Sequence, residues 1–300
     1  MSTLRLLVSY HYHRDTDLAA LNERLGPVDL FADSGAFSAA TKGATINLDD
    51  YAAWLRQWAP LLTVQANLDV IGDHEATAVN FDRLRAAGCD PMPTFHTGEP
   101  WSVLEELCAA HPYVALGGLA LHAVGRAKQL PLMAWLVKAF KIAREHGTVF
   151  HAFGVTSATL IRDLPFYSLD SSTYTMGQRW GLAYIWDARA LKMRSIFFRN
   201  SAKVRPVADL FRAHGFDPAR GMSPTFMRKD SPTMAADRND LTASSARAFQ
   251  FMEATLQARH HVAAPPLPRF GDTGTKVYLA LSGAGRFELD PLRLLKGPAS

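Results

Sequence analysis

Three acids stand where apolar runs of this chain end. Asp33 closes VDLFAD and opens Asp33-Ser34-Gly35-Ala36-Phe37, Asp69 closes TVQANLD, and Asp170 closes FYSLD and opens DSSTY. An acid directly after an apolar strand is costly if it is buried without a partner. Turns and caps are one explanation. Asp, Ser and Gly favour turns, Ser171 and Ser172 can cap with Asp170, and Asp73 is a better cap than Asp69 for a helix starting at His74. Asp69 is then left to face whatever lies beyond the strand ends. Gly117-Gly118 interrupts a fourth apolar run. Glycine weakens a strand there unless it forms a bulge or lets a backbone or flat ligand come close. Two facing carboxylates suit glycosidic chemistry: one attacks or stabilises the sugar C1′, the other moves protons on and off the leaving group. A third acid can accept hydrogen bonds from the donor edge of a guanine-like ring. The set is compatible with base exchange and does not by itself establish it.

The elements that must position these residues alternate. Strands are expected at Arg5–Tyr12, Val28–Phe37, Thr63–Ile71, Pro91–His96, Tyr113–Leu119, Thr148–Val155 and Phe166–Leu169. Between them, helices are expected at Asn47–Leu62 (capped by Asp49 or Asp50), His74–Ala87, Glu99–Ala110, Leu130–His146 and Ser157–Asp163. Gly88 and Gly147 stop two of them. Strand–helix steps in this order imply parallel strands with right-handed crossovers. The polar strand ends are spread over most strands. An open sheet gathers only those at its switch point, whereas a barrel gathers all of them on one face. The expected fold is therefore a (β/α)₈ TIM-type barrel over residues 1–205. Its eighth strand is Leu182–Asp187 or Met193–Phe198, one of them a possible hairpin insertion. Residues 206–300 read as a mostly helical C-terminal extension, with helices at Pro206–Gly215 and Ala236–His260. Lys276–Leu281 is a late strand or packing segment.

Composition sets outer limits. The chain has 300 residues, 48% apolar and 20% charged, which is a globular balance and excludes disorder as a description of the whole. No apolar run reaches the roughly 20 residues of a membrane span, and the N-terminus lacks a secretory pattern. Cys89 and Cys108 cannot make a disulfide framework or a four-cysteine zinc site. A cytoplasmic location is the simplest reading. The net charge of +4 permits a polyanionic partner without demanding one.

With these residues in view, the chain resembles the tRNA-guanine transglycosylases, closest to the phage and bacterial branch that places 7-deazaguanines in DNA. The family's Asp-Ser-Gly-Gly-Phe/Tyr-Gln motif is similar to Asp33-Ser34-Gly35-Ala36-Phe37-Ser38. Its Gly-Gly-Leu-Ala run resembles Gly117-Gly118-Leu119-Ala120, and its Met-Gly-Val-Gly-Thr/Ser run is echoed by Phe153-Gly154-Val155-Thr156-Ser157. Its Phe-Asp-Ser-Ala-Ser-Tyr nucleophile motif resembles Leu169-Asp170-Ser171-Ser172-Thr173-Tyr174. The resemblance covers about half the chain, with the motifs in the family's order. It implies a (β/α)₈ barrel, Asp170 as covalent nucleophile and Asp33 as general acid/base. It also implies base contacts from Ser34, Gly35, Phe37, Asp69, Gly117, Gly118 and Leu119. The implied partners are DNA, with tRNA the alternative, a free 7-deazaguanine such as preQ0, and accessory modification proteins. A phage-encoded chain would act in the host cytoplasm. No cofactor is required. The family's Cys-x-Cys-x-x-Cys zinc site is absent, since no cysteine follows Cys108. Ala36 and Ser38 also depart from the motif. The missing zinc subdomain weighs against tRNA.

A basic stretch follows Asp170: Arg179, Arg189, Lys192, Arg194, Arg199, Lys203 and Arg205, with Trp180, Tyr184 and Trp186 interleaved. It could meet phosphates and stack bases, or be a solvated face over core aromatics. A different class also fits part of the sequence. His11-Tyr12-His13 would end strand one with both imidazoles on one face, as in metal-dependent barrel hydrolases, and His96, His122, His151 and Asp170 could complete a site. A catalytically dead nucleic-acid-binding barrel is a third reading, disfavoured by the joint presence of Asp33 and Asp170.

Overall fold

The computed structural model describes residues 3–119, 126–155, 157–177, 181–198, 201–267, 269–270, 274–281, 292 and 295. The chain divides into two compact units, Met1–Ser171 with Arg259–Ser282, and Ser172–Ala258 with Gly283–Ser300. This differs from the expected division at residue 205. The first unit takes back a late segment because that segment supplies a strand.

The first unit is an all-parallel sheet. Its strands are β1 (Leu4–Ser9), β2 (Val28–Asp33), β3 (Leu62–Ala66), β4 (Pro91–Met92), β5 (Thr94–His96), β6 (Tyr113–Gly117), β7 (Val149–Ala152) and β8 (Ser168–Ser171), joined by a strand at Lys276–Leu281. The order is β4-β3-β2-β1-(Lys276–Leu281)-β8-β7-β6-β5. Only Pro93 separates the two ends of that order. Proline has no N–H for a ladder bond, but its carbonyl accepts from Ala115 N at 2.8 Å, and Met92 O accepts from Asn67 N at 3.2 Å. The segment 91–96 thus pairs with β3 at its start and β6 at its end. The nine strands form a nearly closed, barrel-like sheet.

The strand between β1 and β8 corrects the expected eighth strand. Lys276–Leu281 pairs in parallel with β1 and β8 and is buried along its whole length. Beyond Lys276 the run shows no polar/apolar alternation, as a strand covered on both sides requires. The two other candidates belong to the second unit, as the two arms of one antiparallel hairpin, β9 (Leu182–Asp187) and β10 (Lys192–Phe197).

Alternation along the strands sorts the barrel interior into layers. Leu7, Phe31, Val64, Met92, Tyr113 and Tyr278 share one buried cluster. Two residues earlier on their strands, Arg5, Asp29 and Lys276 form a buried charged layer. Arg5 Nη1 donates to Asp29 Oδ2 at 2.8 Å, Lys276 Nζ lies 3.8 Å from the same oxygen, and Tyr278 OH donates to Asp29 Oδ1 at 3.0 Å. Two residues later than Leu7 and Phe31 come Ser9 and Asp33, paired in register. Helices cover the outside. Asp73 caps His74–Ala86 as expected, but Asn47, not Asp49 or Asp50, caps Leu48–Trp58. The two acids sit instead in the first turn, where the helix dipole favours them.

The second unit has its own core, Ala183, Ile185, Ile196, Phe198, Val204, Phe211, Phe216 and Leu241. It is mostly helical, with helices at Ala208–Ala213 and Pro218–Gly221 and all but the last two residues of Met234–His260. Among the described residues, no helix is long and apolar enough to cross a membrane.

Candidate active site

The turn after β2 is built to hold an acid against the end of β1. Gly35 takes a left-handed φ of 78° and its N–H donates to Asp33 Oδ2 at 3.1 Å. A Cβ on Gly35 would collide with the Ser9 hydroxyl and with His11. Ser34 is buried, and its hydroxyl accepts from Ala36 N at 3.3 Å. Burial drives the Asp33 carboxyl up to about 7. The Gly35 N–H and the Ser9 hydroxyl oppose this, while the charges of Asp170 and Asp69 add to it. An acid at that value can both give and take a proton near neutral pH.

Asp170, on β8, has different surroundings. Its Oδ1 accepts from Gly154 N at 2.8 Å, and His151 Nε2 lies 3.4 Å from the same oxygen. His151 is fully buried, and its Nδ1 is 2.6 Å from Ser168 Oγ, which is 2.5 Å from Tyr113 OH. Burial pushes the His151 imidazole below its ordinary value, with Asp170 pulling the other way, so the ring is neutral at pH 7. A neutral ring of this kind accepts at Nδ1 from Ser168, while its Nε2 stands 3.4 Å from Asp170 without a hydrogen bond among the described residues. The hydrogen-bonded run Tyr113–Ser168–His151 therefore ends beside Asp170, whose Oδ1 is held by Gly154 N and whose Oδ2 takes no part in it.

Asp69 joins a third group. His96, at the end of β5, has Nε2 3.2 Å from Asp69 Oδ2 and Nδ1 3.0 Å from Glu99 Oε1, while its backbone N–H donates to Glu99 Oε2 at 2.9 Å. Burial alone lowers the imidazole pKa, but Asp69 and Glu99 outweigh it and raise it to about 10. His96 is therefore an imidazolium at neutral pH. Gly117 makes room for it, since a Cβ there would overlap the imidazole. The glycine pair thus has a local cause in His96. Gly118, at φ +74°, packs against Thr97 instead.

Asp33, Asp69 and Asp170, spaced along the sequence, come together closely enough that the charges of the latter two raise the first. Leu119 is wholly buried, and Phe37 is 53% exposed. In the second unit Lys192, Lys203 and Arg205 are exposed. Arg194 is held by Asp187 at 2.7 Å. Arg179, Arg199 and Trp180 lie outside the described residues. Trp186 is no stacking surface: it is 2% exposed and its Nε1 donates to Thr255 Oγ1 at 2.9 Å.

The His11/His13 pair loses its premise. Tyr10–His13 is a helical turn rather than a strand end, so residues two apart diverge instead of sharing a face. His13 is buried, with Nδ1 3.2 Å from Thr16 Oγ1. Among the described residues no group of three or more His, Cys, Asp or Glu side chains is arranged to hold a metal ion. His122 lies outside them.

Sequence reasoning did not assign His96, Glu99, His151 and Ser168 to the acids they serve. The spacing His96-x-x-Glu99 directly after a strand was a usable signal. His151 was grouped with Asp170 only as a metal ligand in the hydrolase reading, and nothing in TVFHAFGV placed it beside that acid through Ser168. Comparison with protein-family models, curated proteins and solved structures gave no match to this chain.

Proposed function

We propose that the chain is a base-exchange transglycosylase that replaces guanine in DNA with a 7-deazaguanine through a covalent aspartyl-glycosyl intermediate. On this reading the sheet is a (β/α)₈ barrel of TIM type, with β4 and β5 as halves of one strand and Lys276–Leu281 as the eighth. The observation that carries it is the contrast between two neighbouring acids. Asp33 is held near 7, fit to shuttle a proton. Asp170 has one oxygen held by the Gly154 N–H, with His151 Nε2 3.4 Å from it, and is fit to present the other. Pairs of acids with divergent surroundings mark acid and nucleophile roles.

The chemistry is a double displacement. Asp170 attacks C1′, the bond to guanine breaks, and Asp33 gives the departing base its proton. The incoming 7-deazaguanine gives its N9 proton back to Asp33. N9 then attacks C1′, the ester bond to Asp170 breaks, and configuration is retained. In duplex DNA the target base must first leave the stack, at a few kcal/mol. Exposed Lys192, Lys203 and Arg205 suit phosphate contacts.

The test mixes purified chain with DNA or tRNA and labelled 7-deazaguanine, and follows incorporation and intact mass. Label should enter DNA, and a denaturation-resistant adduct should form. Asp170→Ala should abolish the adduct and cut exchange by about 10⁴, and Asp33→Asn should slow exchange by about 10²–10⁴. Incorporation into tRNA alone moves the substrate to tRNA. Exchange by Asp170→Ala at the unmodified rate overturns the assignment.

A further inference from the structure

The Asp69–His96–Glu99 cluster stands beside the two acids of the proposed chemistry and is not used by it. Its arrangement is unusually constrained. Glu99 grips His96 twice, with one oxygen on the backbone N–H at 2.9 Å and the other on Nδ1 at 3.0 Å. Gly117 leaves the space the ring fills. With rotation blocked, Nε2 meets Asp69 Oδ2 at 3.2 Å. Both ring nitrogens face carboxylate oxygens, so both carry hydrogen, and a doubly protonated ring has no acceptor left to offer. The other oxygen of Asp69, Oδ1, is buried and has no hydrogen-bond partner among the described residues. A buried acceptor without a partner is expensive, and it becomes useful when a ligand brings the missing donor.

We propose that His96 is a positioning residue that locks Asp69 by Oδ2 and so presents Oδ1 as the acceptor for the amino edge of a 2-aminopurine-type base. The proposal rests on the reading above that this site takes a guanine-like ring. His96 does not touch the base, because both its nitrogens are spent on Asp69 and Glu99. It decides which bases are held. A ring with a 2-amino group brings N–H donors to Oδ1, and a ring without that group leaves the oxygen orphaned. Sites built to hydrogen-bond a particular N–H discriminate strongly against analogues that lack it. Without His96, Asp69 can swing away, and the distinction is lost.

The test is equilibrium calorimetry with 7-deazaguanine and 7-deazahypoxanthine, which differ only in the 2-amino group, so no turnover is needed. The unmodified chain should prefer 7-deazaguanine by about tenfold or more. His96→Ala should bring the two affinities within about threefold of each other, by weakening 7-deazaguanine. A full preference retained by folded His96→Ala overturns the proposal and leaves the transglycosylase reading standing. Failure of the unmodified chain to bind either ring overturns both. If His96→Ala does not fold, nitrogen NMR of histidine-labelled unmodified chain decides. Both His96 nitrogens should be protonated at about pH 7.5, and a neutral ring overturns the proposal.

Discussion

At the scale of single residues, the site works by giving like side chains unlike neighbours. Asp33 has a single backbone donor and two acids nearby, and its carboxyl sits at about 7 against an ordinary 3.8. A group whose folded value lies above its unfolded one binds its proton more tightly in the fold. Its contribution to stability is full below about pH 4, falls as the pH rises towards 7, and is gone above that. The chain should therefore lose about 2–3 kcal/mol between pH 5 and pH 8 relative to Asp33→Asn, which has no such proton to lose. Urea unfolding of both proteins at the two pH values measures this directly. Parallel behaviour would mean that Asp33 is an ordinary carboxylate and a poor proton shuttle. The three acids were legible in the sequence because each ends an apolar run. The place of His151 beside Asp170 through Ser168 was not, because β-pairing rather than spacing brings it there.

At the scale of elements, what matters is how closely a strand end can approach the next. The Asp33-Ser34-Gly35 turn was legible as a turn from composition alone. The reason it must be glycine was not, because the obstacle is Ser9 and His11 at the end of β1, and that turn of chain was expected to stay extended. Gly35 and Gly43 offer a clean comparison. Both have positive φ, 78° and 66°, but a Cβ at Gly43 meets nothing within 4 Å. Alanine at Gly43 should cost only the backbone strain, about 1 kcal/mol. Alanine at Gly35 should cost that plus a steric penalty of about 1–3 kcal/mol, and should move the Asp33 carboxyl. Denaturant midpoints of the two variants give the difference. Equal costs would show that the turn is free to relax and does not fix Asp33.

At the scale of the molecule, the barrel-like sheet closes through a strand that arrives last. Seven strand positions could be read in order, since each apolar run is followed within a few residues by its crossover. The eighth could not, because a whole second unit intervenes before Lys276–Leu281 returns between β1 and β8. Hydrophobic pattern alone does not say which late run closes a sheet. The charged layer does part of that work. Asp29 on β2 takes Arg5 from β1 and both Lys276 and Tyr278 from the closing strand. Arg5 and Lys276 are almost wholly buried. Removing the one carboxylate would leave two buried cations short of their counter-charge, and breaking a buried pair from one side costs about 3–5 kcal/mol. Asp29→Ala should lose that much in equilibrium unfolding. It should also make the amides of Lys276–Leu281 exchange with solvent faster than those of β6, which is paired on both sides by other strands. Exchange rates that rise equally in the two strands would mean that Asp29 supports the sheet as a whole and has no special part in closing it.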